Sequence, residues 1–175
     1  MRLPLALAFF TLALVAGCTS IGFGSGGSAT HFAVSASDTA RLVNAFRSAH
    51  GGLHPVTVDS TLTSIAEHQA EAMAARQTMS HTVGGQFPAR IREGGYRAAA
   101  AAENIAAGYT SLQQVMPVWE ASPGHRANLL NQLVTEFGIG AAADEDGRIY
   151  WAIVLGKPLP PRPLGTRILD ALTPG

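Results

Sequence analysis

The apolar residues of the chain recur with a helical period through its first half. A first helix is predicted to start in the capping cluster at Ser35 to Asp38 and to end at Gly51-Gly52. A second helix opens at Asp59 or Ser60 and ends before the loop at Gly84-Gly85. The positions predicted to face the core are Leu42, Val43, Phe46 and Ala49, then Leu62, Ile65, Ala66, Gln69, Ala70 and Met73.

The last third changes to a strand period. The stretch "EFGIGAAADEDGRIYWAIVLGK" contains two alternating runs joined by "DEDG", which predicts a β-hairpin. Gly138 and Gly140 leave one face of the first strand without side chains, so a close approach to the strand backbone is expected there. The residues predicted to share the opposite, apolar face are Phe137, Ile139 and Ala141, with Ile149, Trp151, Ile153 and Leu155 in the partner strand.

The middle of the chain is less clear. Pro88 begins a short basic turn, and "RAAAAAENIAAGYTS" is compatible with either a helix or a short strand. A helix capped by Thr110 or Ser111 follows, and Pro117 lies inside it. Ser122 as N-cap and Pro123 at the first helical position predict another short helix, to about Leu130. Helices that precede a hairpin without βαβ alternation indicate an α+β fold.

Both ends of the chain differ from this folded part. Residues 1–17 have the pattern of a secretory signal peptide, and "LVAGCTS" resembles the lipobox of bacterial lipoproteins. Cys18, the only cysteine, is then the predicted lipidation site, although an ordinary signal peptide with a stray cysteine is the alternative. Residues 18–34 are interpreted as a lipidated N-terminus and flexible tether, residues 35–158 as the domain, and residues 159–175 as a proline-rich tail.

Charge and composition exclude several classes of protein. Loss of Arg2 with the signal peptide leaves eleven basic and twelve acidic side chains, which gives no electrostatic basis for binding nucleic acid. A single cysteine excludes an internal disulfide, so stability has to come from a hydrophobic core. Together with the predicted signal peptide and lipidated Cys18, this composition leads us to expect a monomeric domain on the extracytoplasmic side of a membrane, held there by lipid chains.

Two histidines and two acids are the candidates for chemistry. His81 and His125 lie in Ser- and Gly-rich stretches between helices, where side chains can face a cleft. Glu103 is the only charged residue between Arg97 and Glu120. A histidine in the first turn of a helix is disfavoured as imidazolium, and neutral imidazole is the form that binds metal. The spacing of His81, Glu103 and His125 is also compatible with the alternative that His125 is an ordinary residue in the first turn of a helix.

Five segments in this order resemble one known family: "LVNAFRSAHG", "MSH", "ENIAAGY", "VWEASPGHRANLLN" and "FGIGAA...YWAIVLG". The chain is similar, from about Ala40 to Lys157, to bacterial members of the CAP superfamily, or SCP domain. The resemblance implies an α-β-α sandwich around a small antiparallel sheet, and a cleft in which His81 and His125 bind a divalent metal, often zinc, beside Glu103. Glu120 is an uncertain second acid, because the family's acid stands further from the histidine.

Three functions follow as expectations. The first is a metal-binding or scaffolding module of the cell envelope without turnover, since catalytic zinc usually has three protein ligands. The second is a metal-dependent hydrolase, acting on peptides, esters or the cell wall, with Glu103 as base. The third is a carrier of a lipid or cell-wall ligand. Of these, we favour a protein without enzymatic activity over a hydrolase.

Overall fold

The structure, a computed structural model, describes residues 28–161. Five helices and five strands follow one another in this part of the chain. The helices are α1 (Ala36–Ala49), α2 (Ser60–Ala75), α3 (Phe87–Glu93), α4 (Leu112–Ala121) and α5 (Pro123–Leu129). The strands are β1 (Thr30–His31), β2 (Thr57–Val58), β3 (Ala98–Ala107), β4 (Glu136–Ala143) and β5 (Ile149–Pro158). Their order along the chain is β1-α1-β2-α2-α3-β3-α4-α5-β4-β5.

All of these strands join one sheet in the order β1-β4-β5-β3, and β2 adds to β4 in parallel. The three long strands β3, β4 and β5 are antiparallel, and the hairpin pairs Ala143 with Ile149 at its closed end. The two-residue strands β1 and β2 both lie along β4, at opposite ends of it. Strand β3 is therefore the last strand on the other side of the sheet.

Two apolar clusters cover the two faces of this sheet. One packs α1, α4 and α5 against the predicted apolar face of the hairpin. The other packs α2 and α3 against the opposite face, where Ala142, Tyr150, Ala152 and Val154 point. The molecule is thus an α-β-α sandwich, and the prediction of an α+β fold is confirmed.

The close approach expected at the hairpin glycines is confirmed, and the structure shows that the backbone of α2 makes it. Helix α2 crosses β4 so closely that a Cβ on Gly138 would meet the backbone of Leu62 and Thr63. A Cβ on Gly140 would lie 2.5 Å from the Cα of Glu67. The predicted core face of α2 is buried along its whole length, including Gln69, which is 0% exposed. Close packing of small residues thus brings α2 onto the sheet.

The structure describes three of the segments interpreted above. Residues 30–34, which the sequence places in the tether, are packed against the domain: β1 pairs with β4, and Phe32 contacts the Trp151 ring at 5.7 Å between centroids. The basic turn at Pro88 is a helix, α3. The ambiguous alanine-rich segment is strand β3, because its pairing with β5 over nine residue pairs overrides the helical preference of alanine.

Other expectations fall outside the described residues. These are the signal peptide, Cys18, the tether as far as residue 27, and the tail from residue 162. No helix between residues 28 and 161 combines the length and apolar character needed to span a bilayer.

Candidate functional site

The centre of the site is a hydrogen bond between His81, in the loop after α2, and Glu103, in β3. His81 Nδ1 and Glu103 Oε1 are 2.8 Å apart, and the Glu103 side chain is only 2% exposed whereas that of His81 is 51% exposed. An ionised carboxylate can only accept, so His81 Nδ1 carries the proton and donates it. In the neutral ring the other nitrogen, Nε2, then has a lone pair available on the partly exposed side of the residue.

Arg90 on α3 holds the same carboxylate. Its Nη2 donates to both oxygens of Glu103, at 2.9 and 2.8 Å, and to the His81 carbonyl at 3.1 Å. Its Nε donates to the Gly85 carbonyl at 3.0 Å. The guanidinium thus compensates a buried charge and fixes the loop that carries His81. Both carboxylate oxygens are occupied by donors from within the protein.

His125 lies in the first turn of α5, as the sequence predicted. Ser122 occupies the N-cap position, but its side chain makes no capping hydrogen bond. The His125 ring is half-buried, and its Nδ1 is buried without a hydrogen-bond partner among residues 28–161. Burial lowers the pKa of His125 below its ordinary value of 6.5, and a positive charge on His81 lowers it further. The ring is therefore neutral around pH 7.

Two asparagines connect α5 with β3. Asn128 Nδ2 donates to the Glu103 carbonyl at 3.2 Å and to Asn104 Oδ1 at 2.9 Å, and Asn104 Nδ2 donates to the His125 carbonyl at 3.1 Å. Asn104 is completely buried. Since these bonds tie the backbone of His125 to the strand that carries Glu103, they fix His125 relative to the pair of His81 and Glu103.

Glu120 is not part of this group. It is half-buried near the end of α4, and its backbone carbonyl accepts from Arg126 at 3.3 Å. In the described part of the chain, no hydrogen bond or ion pair joins its carboxylate to His81, His125 or Glu103.

No three His, Cys, Asp or Glu side chains between residues 28 and 161 form a group that could hold a metal ion. The candidate metal ligands are therefore two imidazoles, and the carboxylate of Glu103 orients one of them.

Sequence reasoning missed Arg90, Asn104 and Asn128. Asn104 and Asn128 lie within the two segments that carry the family resemblance, "ENIA" and "SPGHRANLL", so the resemblance held a signal for them. Arg90 gave no such signal, because it is one of several arginines in a short basic stretch. Only the packing of α3 beside β3 selects it as the partner of Glu103.

The lowered pKa of His125 predicts a dependence of stability on pH. Between its folded-state pKa and 6.5 the unfolded chain binds more protons than the folded one, so stability rises with pH there. The contribution is fully present above pH 6.5 and is lost as pH falls below it. An NMR titration of the ring is expected to give a midpoint below 6.5, and a midpoint at or above 6.5 would contradict the burial described here.

The α-β-α fold, together with His81, Glu103 and His125 on the elements that carry them, defines a class of small domains. The chain belongs to the CAP family, described as the cysteine-rich secretory protein family, whose model matches residues 40–155. The match covers more than half of the chain and includes His81, Glu103 and His125.

Individual relatives agree with this assignment. The uncharacterized protein YkwD of Bacillus subtilis is 34% identical over 119 residues, which are 66% of this chain but only 45% of YkwD. An SCP-domain extracellular protein of Bacillus anthracis has a TM-score of 0.61 at 26% identity, over 69% of this chain and 39% of that one. Both relatives are bacterial, and the Bacillus anthracis protein is extracellular, which is consistent with a location of this chain outside the cytoplasm.

An outer surface protein of Borrelia burgdorferi has the same fold, with a TM-score of 0.64 at 23% identity. The match covers 70% of this chain and 92% of that protein. This likeness shows the fold alone.

Proposed function

We propose that the chain is a membrane-anchored binding module of the bacterial cell envelope, in which His81 and His125 hold a divalent metal ion. The observation that carries the proposal is the hydrogen bond from His81 Nδ1 to Glu103 at 2.8 Å. Histidines that bind metal commonly donate their other ring N–H to a carboxylate, which fixes the ring and raises its basicity. Glu103 stands in that relation to His81.

The two imidazole ligands are expected to bind a metal ion with low affinity. His125 adds a second ring, whose neutral state at pH 7 suits metal binding and whose buried Nδ1 lacks a partner among the described residues. Two histidines alone leave the remaining coordination positions to water or to an outside ligand. Imidazole nitrogens favour zinc and other late transition metals over magnesium or calcium. We therefore expect an ion that exchanges with solvent and that could bridge to a ligand.

Hydrolysis receives less support from the same geometry. A general base has to reach the proton that it removes, within about 2.6–3.2 Å. Both oxygens of Glu103 accept from Arg90, and one also accepts from His81, in a side chain that is 2% exposed. Glu103 thus suits the orientation of His81 better than proton transfer. A test for peptide, ester and peptidoglycan cleavage at saturating zinc, with Glu103→Gln for comparison, distinguishes the two roles: cleavage by the parent chain that this variant loses even at saturating zinc would favour hydrolysis.

Zinc binding tests the metal proposal. Calorimetric titration of residues 19–175 is expected to show one zinc site, which the double variant His81→Ala/His125→Ala removes. Glu103→Gln is expected to weaken binding about 10–100-fold, because His81 loses the carboxylate that orients it.

The matched control is His50→Ala/His54→Ala, which removes two exposed histidines at the end of α1 and in the loop after it. This variant is expected to bind zinc as the parent chain does. Circular dichroism of each variant checks that the fold is retained. Equal zinc binding by the parent chain and by His81→Ala/His125→Ala would end the proposal.

Anchoring through Cys18 is the second part of the proposal, and it rests on the sequence that surrounds this residue. Replacing Cys18 with Ser removes the thiol that would carry the lipid, so the protein is expected to move from the membrane fraction to the soluble fraction. Ser25→Ala, in the same segment, serves as the control and stays with the membrane. Unchanged fractionation of Cys18→Ser would argue against a lipid anchor.

A further inference from the structure

We infer that the outer edge of β3 near Ala101 binds an extended, acidic peptide segment of a partner protein as an additional strand. The inference deepens the binding role proposed above and rests on it, but it does not involve the metal. Strand β3 is the last strand of the sheet, and residues 28–161 supply no strand beyond it. A sheet edge of this kind presents main-chain donors and acceptors to a partner.

The main chain of β3 is covered in one half and open in the other. The outward carbonyls of Glu103 and Ile105 accept side-chain donors, from Asn128 Nδ2 at 3.2 Å and Trp119 Nε1 at 3.1 Å. Ala101 is two residues before Glu103, so its N–H and C=O point to the same outward side. Within residues 28–161, no side chain hydrogen-bonds to these two groups of Ala101.

The register confirms this direction. Ala101 is opposite Gly156 of β5, and the Gly156 carbonyl accepts from Thr135 on the far side of β5. In an antiparallel pair, residues opposite each other either exchange both hydrogen bonds or both point away from each other. Ala101 therefore directs its main-chain groups away from β5 and out of the sheet.

A groove of about 470 Å³ lies beside this edge, between α3 and β3. Its apolar residues include Phe87 and Ile91, and its charged residues are Arg92 and Arg97. Arg92 also contacts Glu93 at 3.4 Å, but these side chains are 73% and 71% exposed, and such a pair contributes little. No acid is among the residues that line the groove. Its charge suits an acidic ligand with apolar side chains.

These features favour a partner peptide over two other occupants of the edge, a second copy of this chain and the chain's own segment 162–175. A strand added at an edge gains affinity from main-chain hydrogen bonds and specificity from pockets for alternate side chains. A second copy of this chain would bring its own Arg92 and Arg97 against the same pair. The segment 162–175 carries Arg162 and Arg167 against one acid, Asp170. The bulge between Ala98 and Ala100 keeps the pairing short, so we expect modest affinity.

The probe is a fluorescent peptide, acetyl-Glu-Val-Glu-Val-Glu-amide, titrated with residues 19–175 and followed by anisotropy. Ala101→Pro removes the outward N–H without touching the ladder to β5, and is expected to weaken binding at least about tenfold. Arg92→Glu/Arg97→Glu is a second variant that leaves the strand unchanged. It is expected to weaken binding of this peptide and to favour the peptide with Lys in place of Glu.

The control is Arg41→Glu/Arg76→Glu, which makes the same charge change at two exposed sites elsewhere. Equal binding by the parent chain, Ala101→Pro and Arg92→Glu/Arg97→Glu would overturn the inference. Two other results would also overturn it: binding only after residues 162–175 are removed, or a dimer that Ala101→Pro dissociates. Peptide binding retained in His81→Ala/His125→Ala with a chelator present supports the inference whether or not the metal proposal holds.

Discussion

Replacing Gly140 with Ala is expected to destabilise the domain by about 3 kcal/mol or more, as measured by urea unfolding. The added Cβ would lie 2.5 Å from the Cα of Glu67 and 2.6 Å from the carbonyl carbon of Ala66. Both atoms belong to the backbone of α2, so no side-chain rotation can relieve the contact. The helix would have to move away from the sheet, and the cluster that it forms with β3 and β5 would lose packing.

Gly124→Ala is the matched control, because nothing lies within 4 Å of the Cβ that it would add. Gly124 is in α5, where alanine is the better helix former, so its replacement is expected to leave stability unchanged or slightly higher. If Gly140→Ala unfolds at the same urea concentration as the parent chain, the close crossing of α2 over β4 is wrong.

Replacing Arg90 with Met is the second change with a large expected effect, a loss of about 3–5 kcal/mol. It leaves the Glu103 carboxylate, 2% exposed, without the guanidinium that donates to both of its oxygens. A buried charge that has lost its partner is more costly than no ion pair at all. The His81 loop also loses the donor to its carbonyl at 3.1 Å.

The double variant Arg90→Met/Glu103→Leu separates this effect from lost packing. It removes both charges, so it is expected to be more stable than Arg90→Met alone. Arg92→Met, at an exposed position on the same helix, is expected to change stability by less than about 0.5 kcal/mol. A double variant that is less stable than Arg90→Met would mean that the charge on Glu103 does not destabilise the single variant.

The parts of the fold that the sequence predicted are those in which burial imposes a period. The stripe of α2 matches its buried face. The larger apolar residues of the β4–β5 hairpin match the face that packs against α1, α4 and α5, and the small residues match the buried face under α2. The glycines at 138 and 140 are explained by the helix that crosses them. Ser35 and Asp59 cap their helices through side-chain oxygens, as expected of these residue types.

The parts that the sequence did not predict depend on contacts between distant segments. Alanine favours helix, and only the ladder with β5 makes residues 98–107 a strand. Residues 30–34 look like a linker by composition, yet β1 pairs with β4. In the site, the resemblance named His81, Glu103 and His125, but the role of Glu103 depends on Arg90, whose position follows from the packing of α3.

The central claim is that His81, oriented by Glu103, and His125 hold a divalent metal ion. A crystal structure of residues 19–175 soaked with zinc tests it most directly, with anomalous scattering to locate the ion. We predict zinc between the two histidine rings, with His81 bound through Nε2 and its Nδ1 still donating to Glu103. Zinc bound only at other surface histidines, or a His81 ring that leaves Glu103 without holding the ion, would contradict the account.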